Sequence, residues 1–476
     1  MKKDNGKALI NISKKTFIQV AALLLALVAL SVVLTYVIPG GQFGTTENGK
    51  VDYSQYIRRD DIKGINVLKG VFSPVLVFFS SNGLSLIMLS LFLLIISSSF
   101  QVMNDVGGIE ALIGTVSDKF RNRKTLLIIV VSLFFMCFGA FLGLFEEMLT
   151  MLPIMTMLCI AIGYDSFTGF LISIVACGFG FASAITNPFT VLLASEIIEV
   201  NPMHHVYYRF IVFFVMYALL IGFILLYTRK ITKDPLKSLT YEHDERIKAA
   251  KNEAETGQRS NNKKRVAIVY SVFLLAALAL IIICSSLSAL RDYTVPVLIA
   301  YFLIFGISAG IICGNNPKFV FKSFLKGLVG AMPTLVFIAL AAAVKYVFDE
   351  GAIMPTIVWQ INNLTAGKNI FVVALVIYLI ILLLEFFISS STAKAILVMG
   401  ILAAASVGLS KSMLVLIYTF ADGYTNVIFP TSPVLLISLS MIEVDYFKWV
   451  KKSLPLFAVN VIVVLALIAL GIIIGY

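Results

Sequence analysis

Hydrophobic residues run along this chain in long unbroken blocks rather than in one-sided stripes. Nine blocks, 17–38, 75–100, 168–200, 207–228, 266–287, 294–313, 328–350, 413–440 and 454–475, each reach the roughly 20 residues that a helix needs to cross a hydrocarbon core. Two more apolar stretches, 125–163 and 369–407, leave almost no room for a turn if each is read as two complete crossings. Polar residues stand at their middles: Glu146-Glu147 in the first, Ser389-Ser390-Ser391-Thr392 in the second. This pattern predicts re-entrant hairpins, whose polar tips at membrane depth require a watery or protein-lined cavity. The competing reading is a tight helix pair with its polar turn at the surface.

Composition removes the soluble classes. Hydrophobic residues make up 59% of the chain and charged residues 13%, with a mean hydropathy of +0.97, far from a soluble domain. A net charge of +11 could point to nucleic acid. However, most Lys and Arg fall in loops that become cytoplasmic if Met1 is inside, which is the bias that orients membrane helices. The chain is therefore expected in the cytoplasmic membrane, multi-pass, with residues 1–16 a cytoplasmic N-terminal segment. The first block is longer than the core of a signal peptide and is followed by Ile38-Pro39-Gly40-Gly41 rather than a cleavage site, so 17–38 reads as a retained helix. The five cysteines lie in or beside apolar segments without CxxC spacing. His204, His205 and His243 lack the spacing of metal ligands.

Residues 229–265 carry eleven Lys/Arg and six acids, so this stretch reads as a solvated cytoplasmic linker between two halves, 17–228 and 266–476. The halves share landmarks. Asp105, Gly107 and Ile109 return as Asp349, Gly351 and Ile353, and Ile198-Glu199-Val200 returns as Ile442-Glu443-Val444, both at an offset of 244; Asn187-Pro188 faces Ser432-Pro433 at 245. Asp105 falls at the inner end of its helix and Asp349 at the outer end of its own, so the repeats are expected to be inverted, with an inner hairpin near 125–163 and an outer one near 369–407. The expected fold is an all-α polytopic membrane protein of two inverted repeats, with about nine transmembrane helices, two re-entrant hairpins and two broken helices.

The breaks are at 178–190 and 421–433, where glycines and prolines interrupt otherwise apolar helices. Proline costs about 3 kcal/mol inside a helix and frees carbonyls. Freed carbonyls hold cations, and exposed helix starts hold anions. A single such proline makes only a kink; its recurrence at matching positions favours a binding loop. Ser183, Thr186, Asn187 and Thr190 surround the first break; Asp422, Asn426, Thr431 and Ser432 surround the second. Their oxygens suit a polar substrate or a hard monovalent cation, with a sodium ion expected near Asn187, Ser390, Asp422 and Asn426. Glu146, Glu147, Glu385 and Asp422 face Lys345 and Lys394 at membrane depth, where ionisable groups imply function by default. Lys345 reads as snorkelling to the outer surface. Lys394 is placed either to pair with Glu385 or to meet a substrate carboxylate. Adjacent Glu146 and Glu147 cannot face the same way, so one belongs to the site and the other supports it. Four acids against one base favour a cationic passenger. No nucleotide motif and no nucleophile with a positioned base is found, so a pump and an intramembrane enzyme recede; a passive channel remains the rival of another class.

The segments Thr35-Tyr-Val-Ile-Pro-Gly-Gly-Gln-Phe43, Glu146-Glu147, Asn187-Pro-Phe-Thr190, Ser389-Ser-Ser-Thr-Ala-Lys394, Asp422-Gly-Tyr-Thr-Asn426 and Pro430-Thr-Ser432 resemble the YfcC-like membrane proteins, relatives of the anaerobic dicarboxylate carriers in the ion transporter superfamily. The resemblance implies a secondary active transporter, a symporter or antiporter of a small amino acid, basic or otherwise, or of a carboxylate, with a four-carbon dicarboxylate as the alternative substrate. It implies a homodimer, no resident cofactor, and a coupling sodium ion or proton. On that pattern Glu146, Glu147, Asn187 and Thr190 form one half-site, and Ser389, Ser390, Ser391, Thr392, Asp422, Asn426, Thr431 and Ser432 the other. Two departures, Ser389 and Thr392 where Pro and Gly are commoner and Glu385 where a neutral residue is expected, bear on the substrate.

Overall fold

The computed structural model describes residues 14–45, 51–81, 83–112, 123–255, 263–287, 289–290, 293–365, 367–388, 390–405 and 408–476. Of the residues singled out above, Ser389 lies outside that set, as do residues 1–13 of the N-terminal segment, 256–262 of the linker and 406–407 of the second hairpin. In the first half, α1 (Lys14–Val37) leads into strands β1 (Gly40–Thr45) and β2 (Val51–Arg59), then α2 (Val67–Leu76) and α3 (Gly83–Asp105). There follow α4 (Lys124–Cys137), α5 (Leu152–Ala161), α6 (Ser166–Phe170), α7 (Ala176–Ala182), α8 (Leu193–Ile197) and α9 (Val206–Lys233). The linker contributes α10 (Tyr241–Glu255). In the second half come α11 (Lys263–Ser286), α12 (Thr294–Ile312), α13 (Pro317–Glu350), α14 (Met354–Thr365), α15 (Ile370–Glu385), α16 (Ser391–Ala405), α17 (Lys411–Gly423), α18 (Pro433–Met441) and α19 (Tyr446–Ile473).

Among the described residues, eight helices are long and apolar enough to span a bilayer, and the molecule is a polytopic helical membrane protein. Seven of the nine sequence blocks correspond to such helices. The remaining two, 168–200 and 413–440, are cut into short helices at the expected breaks, and the eighth long helix, Lys124–Leu142, is an arm of the first hairpin stretch. One element corrects the all-helical expectation: β1 and β2 pair antiparallel, Gly40 opposite Arg59 and Phe43 opposite Tyr56, with a register shift after Phe43. Helix α14 supports this ribbon. Tyr56 stacks on Trp359 at 5.4 Å, its hydroxyl lies 2.8 Å from Thr356 Oγ1, and Gly41 N donates to Ala352 O.

Helices α1, α3, α12 and α13 pack on one another as one group, while the hairpins and broken helices pack as a second. In the first group small residues bring helices close. Ser99 Oγ donates to Phe302 O at 2.6 Å and Ser97 Oγ to Gly327 O at 3.1 Å, the kind of polar, small-residue contact that replaces the hydrophobic drive in lipid. Lys345 does not stand alone at the surface: its Nζ is 3.7 Å from Asp349 Oδ2, one turn on, and its side chain is 20% exposed.

The charged linker differs from the bare solvated stretch its composition predicted. Asp244, buried, accepts from Ser166 N and Oγ and from Thr240 Oγ1, so α10 is anchored at the start of the first broken helix. On the same helix, His243 and Arg246 both reach Glu443 in the turn that follows α18. The linker helix therefore ties the first broken helix to the second. The hydrogen bond from His243 and the Arg246 guanidinium hold the Glu443 carboxyl down at about 2 against its ordinary 4.5. A carboxyl lowered by folding contributes stability in full above its unfolded value and loses it as the pH falls through the folded one. Acidification from pH 4.5 to 2 is expected to release α10, seen as lost amide-exchange protection over Tyr241–Glu255. Glu443→Gln should show no step in that window, and an identical step in the variant would remove Glu443 from the tie.

The two turns that follow the broken helices have one geometry. Glu199 and Glu443 both take positive φ, 54° and 53°, a rare conformation for residues with a side chain. In each, the next amide reaches back five residues, Val200 N to Ser195 O and Val444 N to Leu439 O, both at 2.9 Å.

Candidate functional site

The first hairpin tip is tied to the first break by backbone. Helix α4 ends in a widened turn, Phe138–Leu142, capped by Gly143 at φ 69°, a conformation that favours glycine. Ile185 N and Thr186 N both donate to Ala140 O, Thr186 Oγ1 donates to Phe141 O, and Asn187 Nδ2 donates to Gly139 O. The Asn187 side-chain oxygen caps the following segment by accepting from Phe189 N at 2.9 Å. Widened turns recur at Leu171–Val175 and Pro188–Leu192 in the same unit, and such turns in helices often mark functional sites. Glu147 is buried and Glu146 exposed, so the pair divides as its adjacency requires. Ser183 bonds within its own helix, to Phe179 O, whereas the buried Thr190 hydroxyl has no hydrogen-bond partner.

The second half collects charge. Lys394, fully buried on α16, forms ion pairs with Glu385 at the end of α15 and with Asp422 of α17, the latter at 2.6 Å. Asp422 Oδ2 also accepts from Ser391 Oγ at 2.7 Å, and Thr425 Oγ1 donates to Glu385 Oε2 at 3.2 Å. Asn426 Nδ2 turns back to Asp422 O. Ser432 caps the start of α18, its Oγ accepting from Leu435 N at 3.5 Å, and Pro433 takes the first helical position; the buried Thr431 hydroxyl has no hydrogen-bond partner. Ser390 and Thr392 are exposed at the tip. Of the two roles open to Lys394, pairing with Glu385 is realised, and Asp422 joins it. Two carboxyl groups around one amine give this buried cluster a formal charge of −1.

Sequence reasoning missed the groups that seal the breaks. Trp449 Nε1 donates to Val427 O at 2.8 Å and Tyr446 OH to Ile428 O at 2.9 Å, so carbonyls expected to be open to a cation are taken by α19. In the first half Arg209 Nη1 donates to Ala184 O at 3.2 Å from α9. The two breaks meet where α7 crosses α17: a Cβ on Gly423 would lie 1.9 Å from Ala182 N, and one on Gly178 would lie 2.6 Å from Val427 Cγ1. No trio of His, Cys, Asp or Glu placed to hold a metal occurs among the described residues.

Spanning helices, discontinuous helices that cross at their breaks and buried charge beside the 386–390 turn suit a membrane transporter, and the comparisons with known proteins give that class. The match to the family of C4-dicarboxylate anaerobic carriers (DcuC) runs over residues 17–473, and the chain belongs to that family. It is 26% identical over 381 residues to the Escherichia coli (strain K12) protein named "Putative basic amino acid antiporter YfcC", covering 77% of this chain and 74% of the relative. A Haemophilus influenzae relative described as an uncharacterized protein is 24% identical over 373 residues, 77% of this chain and 71% of its own. Among solved structures, the YdaH transporter of Alcanivorax borkumensis aligns with a TM-score of 0.45 at 16% identity, over 96% of this chain and 99% of that one.

Proposed function

We propose that this protein is a secondary active transporter that exchanges or co-transports a small amino acid with a basic side chain. The observation that carries the reading is the buried charge around the breaks. Counted in their ordinary ionised forms, the buried Glu147, Glu385 and Asp422 set three negative groups against the two positive groups Lys394 and Arg209, a formal balance of −1. A basic amino acid, net +1, neutralises it. A buried unbalanced charge is costly, so the passenger that closes the balance is the one the site favours. The name of the E. coli relative supports the same class. The second reading, a C4-dicarboxylate, has the family in its favour. It would leave the site at a formal −3 and so demands several coupling cations, sodium or protons, for which the candidate ligands are Asn187, Ser390, Asp422 and Asn426.

With this reading go the architectural expectations: inverted repeats related by the offset of 244, moving hairpins against a homodimeric scaffold in the cytoplasmic membrane, the N-terminus inside, and no resident cofactor. The shared geometry at Glu199 and Glu443 supports the repeat. Purified protein in liposomes preloaded with L-lysine should take up labelled L-arginine by saturable counterflow. Saturable counterflow of succinate alone would move the assignment to the dicarboxylate. Flux that never saturates would favour a channel, and no flux of either compound, with or without gradients, would end the transport reading.

A further inference from the structure

Helices α9 and α19 are both 28 residues long, and the fourth residue of each, Arg209 and Trp449, donates to a carbonyl freed at a break, Ala184 O and Val427 O respectively. The structural task at these mirrored places is one hydrogen bond. The neutral indole of Trp449 has a single N–H and performs it. Arg209 brings five donors and a permanent charge to the same task. Its side chain is 2% exposed, its Nε has no hydrogen-bond partner, and no carboxylate pairs with it among the described residues. The phenol of Tyr476 stands beside it, close enough to share a hydrogen bond with the guanidinium. Lys394, the other buried cation near the breaks, is occupied by two acids. One buried cation is thus satisfied, and the other has spare donors.

We propose that Arg209 binds the carboxylate of the transported substrate, its free guanidinium edge and the Tyr476 hydroxyl together forming the anion-binding part of the first break. Arg209 lies one turn into α9, next to the loop 198–205, so a carboxylate can reach it from that loop when the hairpin-bearing part moves. Guanidinium and carboxylate match as a two-pronged pair. The assignment rests on the transporter reading, and it deepens that reading by requiring a carboxylate on whichever passenger is carried.

The test uses the full chain and has two arms. In the first, Arg209 is labelled with phenylglyoxal and followed by mass spectrometry in the presence of L-lysine, succinate, or lysinamide and succinamide, in which every carboxylate is an amide. Labelling should slow at least fivefold with L-lysine or succinate and stay unchanged with the amides. An Arg209 that never reacts, or reacts at one rate throughout, overturns the assignment. In the second arm, Arg209→Trp keeps the hydrogen bond of its mirror residue and Arg209→Gln keeps a smaller donor. Either one, if folded by size exclusion, should bind acid and amide equally, where the native protein prefers the acid by more than tenfold. Retained preference for the acid in a folded variant overturns the assignment. Protection of Arg209 without any counterflow would sink the transport reading and leave the carboxylate site standing.

Discussion

Replacing Lys394 with methionine is expected to remove both the transport and most of the folded protein at neutral pH, whereas Asp422→Asn should remove only the transport. The difference follows from which charge is left behind. Lys394 is fully buried between Glu385 and Asp422, and deleting it leaves two carboxylates facing each other away from water. Breaking a buried pair by removing one partner typically costs about 3–5 kcal/mol, a large part of the roughly 5–15 kcal/mol that holds most domains together. In Asp422→Asn, Lys394 keeps Glu385 and the cluster becomes neutral, so folding survives. The excess negative charge that the passenger or coupling ion must meet is gone, and coupled flux should fall at least about a hundredfold, or about 2.8 kcal/mol at 1.4 kcal/mol per factor of ten. Thermal unfolding of the solubilised protein and flux in liposomes read the two effects separately. The triple change of Lys394→Met, Glu385→Gln and Asp422→Asn, which removes every charge at once, should restore folding without restoring flux. A Lys394→Met protein with native stability and native flux would show that these charges neither hold the tip nor serve the passenger.

What the sequence carried and what it hid divide along the range of the interactions. The hydrophobic blocks, the hairpin stretches and the breaks are local properties of composition, and the structure turns at 143–146, 183–187 and 424–432 where polar residues, glycine or proline interrupt an apolar run. Glu385, Lys394 and Asp422 look alike as rare charges in lipid, but only packing of α15, α16 and α17 brings the three together. Arg209 lies so near the end of its apolar block that it reads as one more loop cation; nothing local says it is buried. Trp449 and Tyr446 stand just before the last apolar block, and their partners lie 22 and 18 residues away in sequence. The ribbon β1–β2 could have been found: Val51, Tyr53, Tyr56 and Ile57 alternate imperfectly with polar residues after a Pro39-Gly40-Gly41 turn, a strand signal weakened by the register shift after Phe43. The linker helix gave no sign of its anchoring, because a charged amphipathic run is compatible with water all round, and the burial of Asp244 depends on a hydroxyl 78 residues away.

The glycines of the breaks carry a different message from the one their composition suggested, and Gly423→Ala puts it to the test with the second of the large effects. Gly178, Gly180 and Gly423 all lie within helical backbone, so they are not themselves the breaks. They are where helices cross with their backbones in contact. A methyl group on Gly423 would sit 1.9 Å from Ala182 N and 2.1 Å from Ala182 Cα, and one on Gly180 would sit 1.9 Å from Met136 O. These neighbours are main chain, which cannot swing aside as the end of a side chain can. By intrinsic propensity, alanine should stabilise a helix over glycine by about 1 kcal/mol, so any loss on Gly423→Ala isolates the crossing. Overpacking usually costs about 1–3 kcal/mol and occasionally more, and here the strain falls one residue from Asp422 and one from Ser183. Gly423→Ala should therefore unfold at lower temperature and lose nearly all flux, because α7 and α17 are pushed apart at the point where the two breaks meet. Gly222→Ala provides the control, since it lies inside α9 and a Cβ there meets nothing within 4 Å; its stability should be unchanged or slightly raised. If Gly423→Ala matched that control in unfolding temperature and in flux, the contact of α7 with α17 would not be what holds the two breaks together.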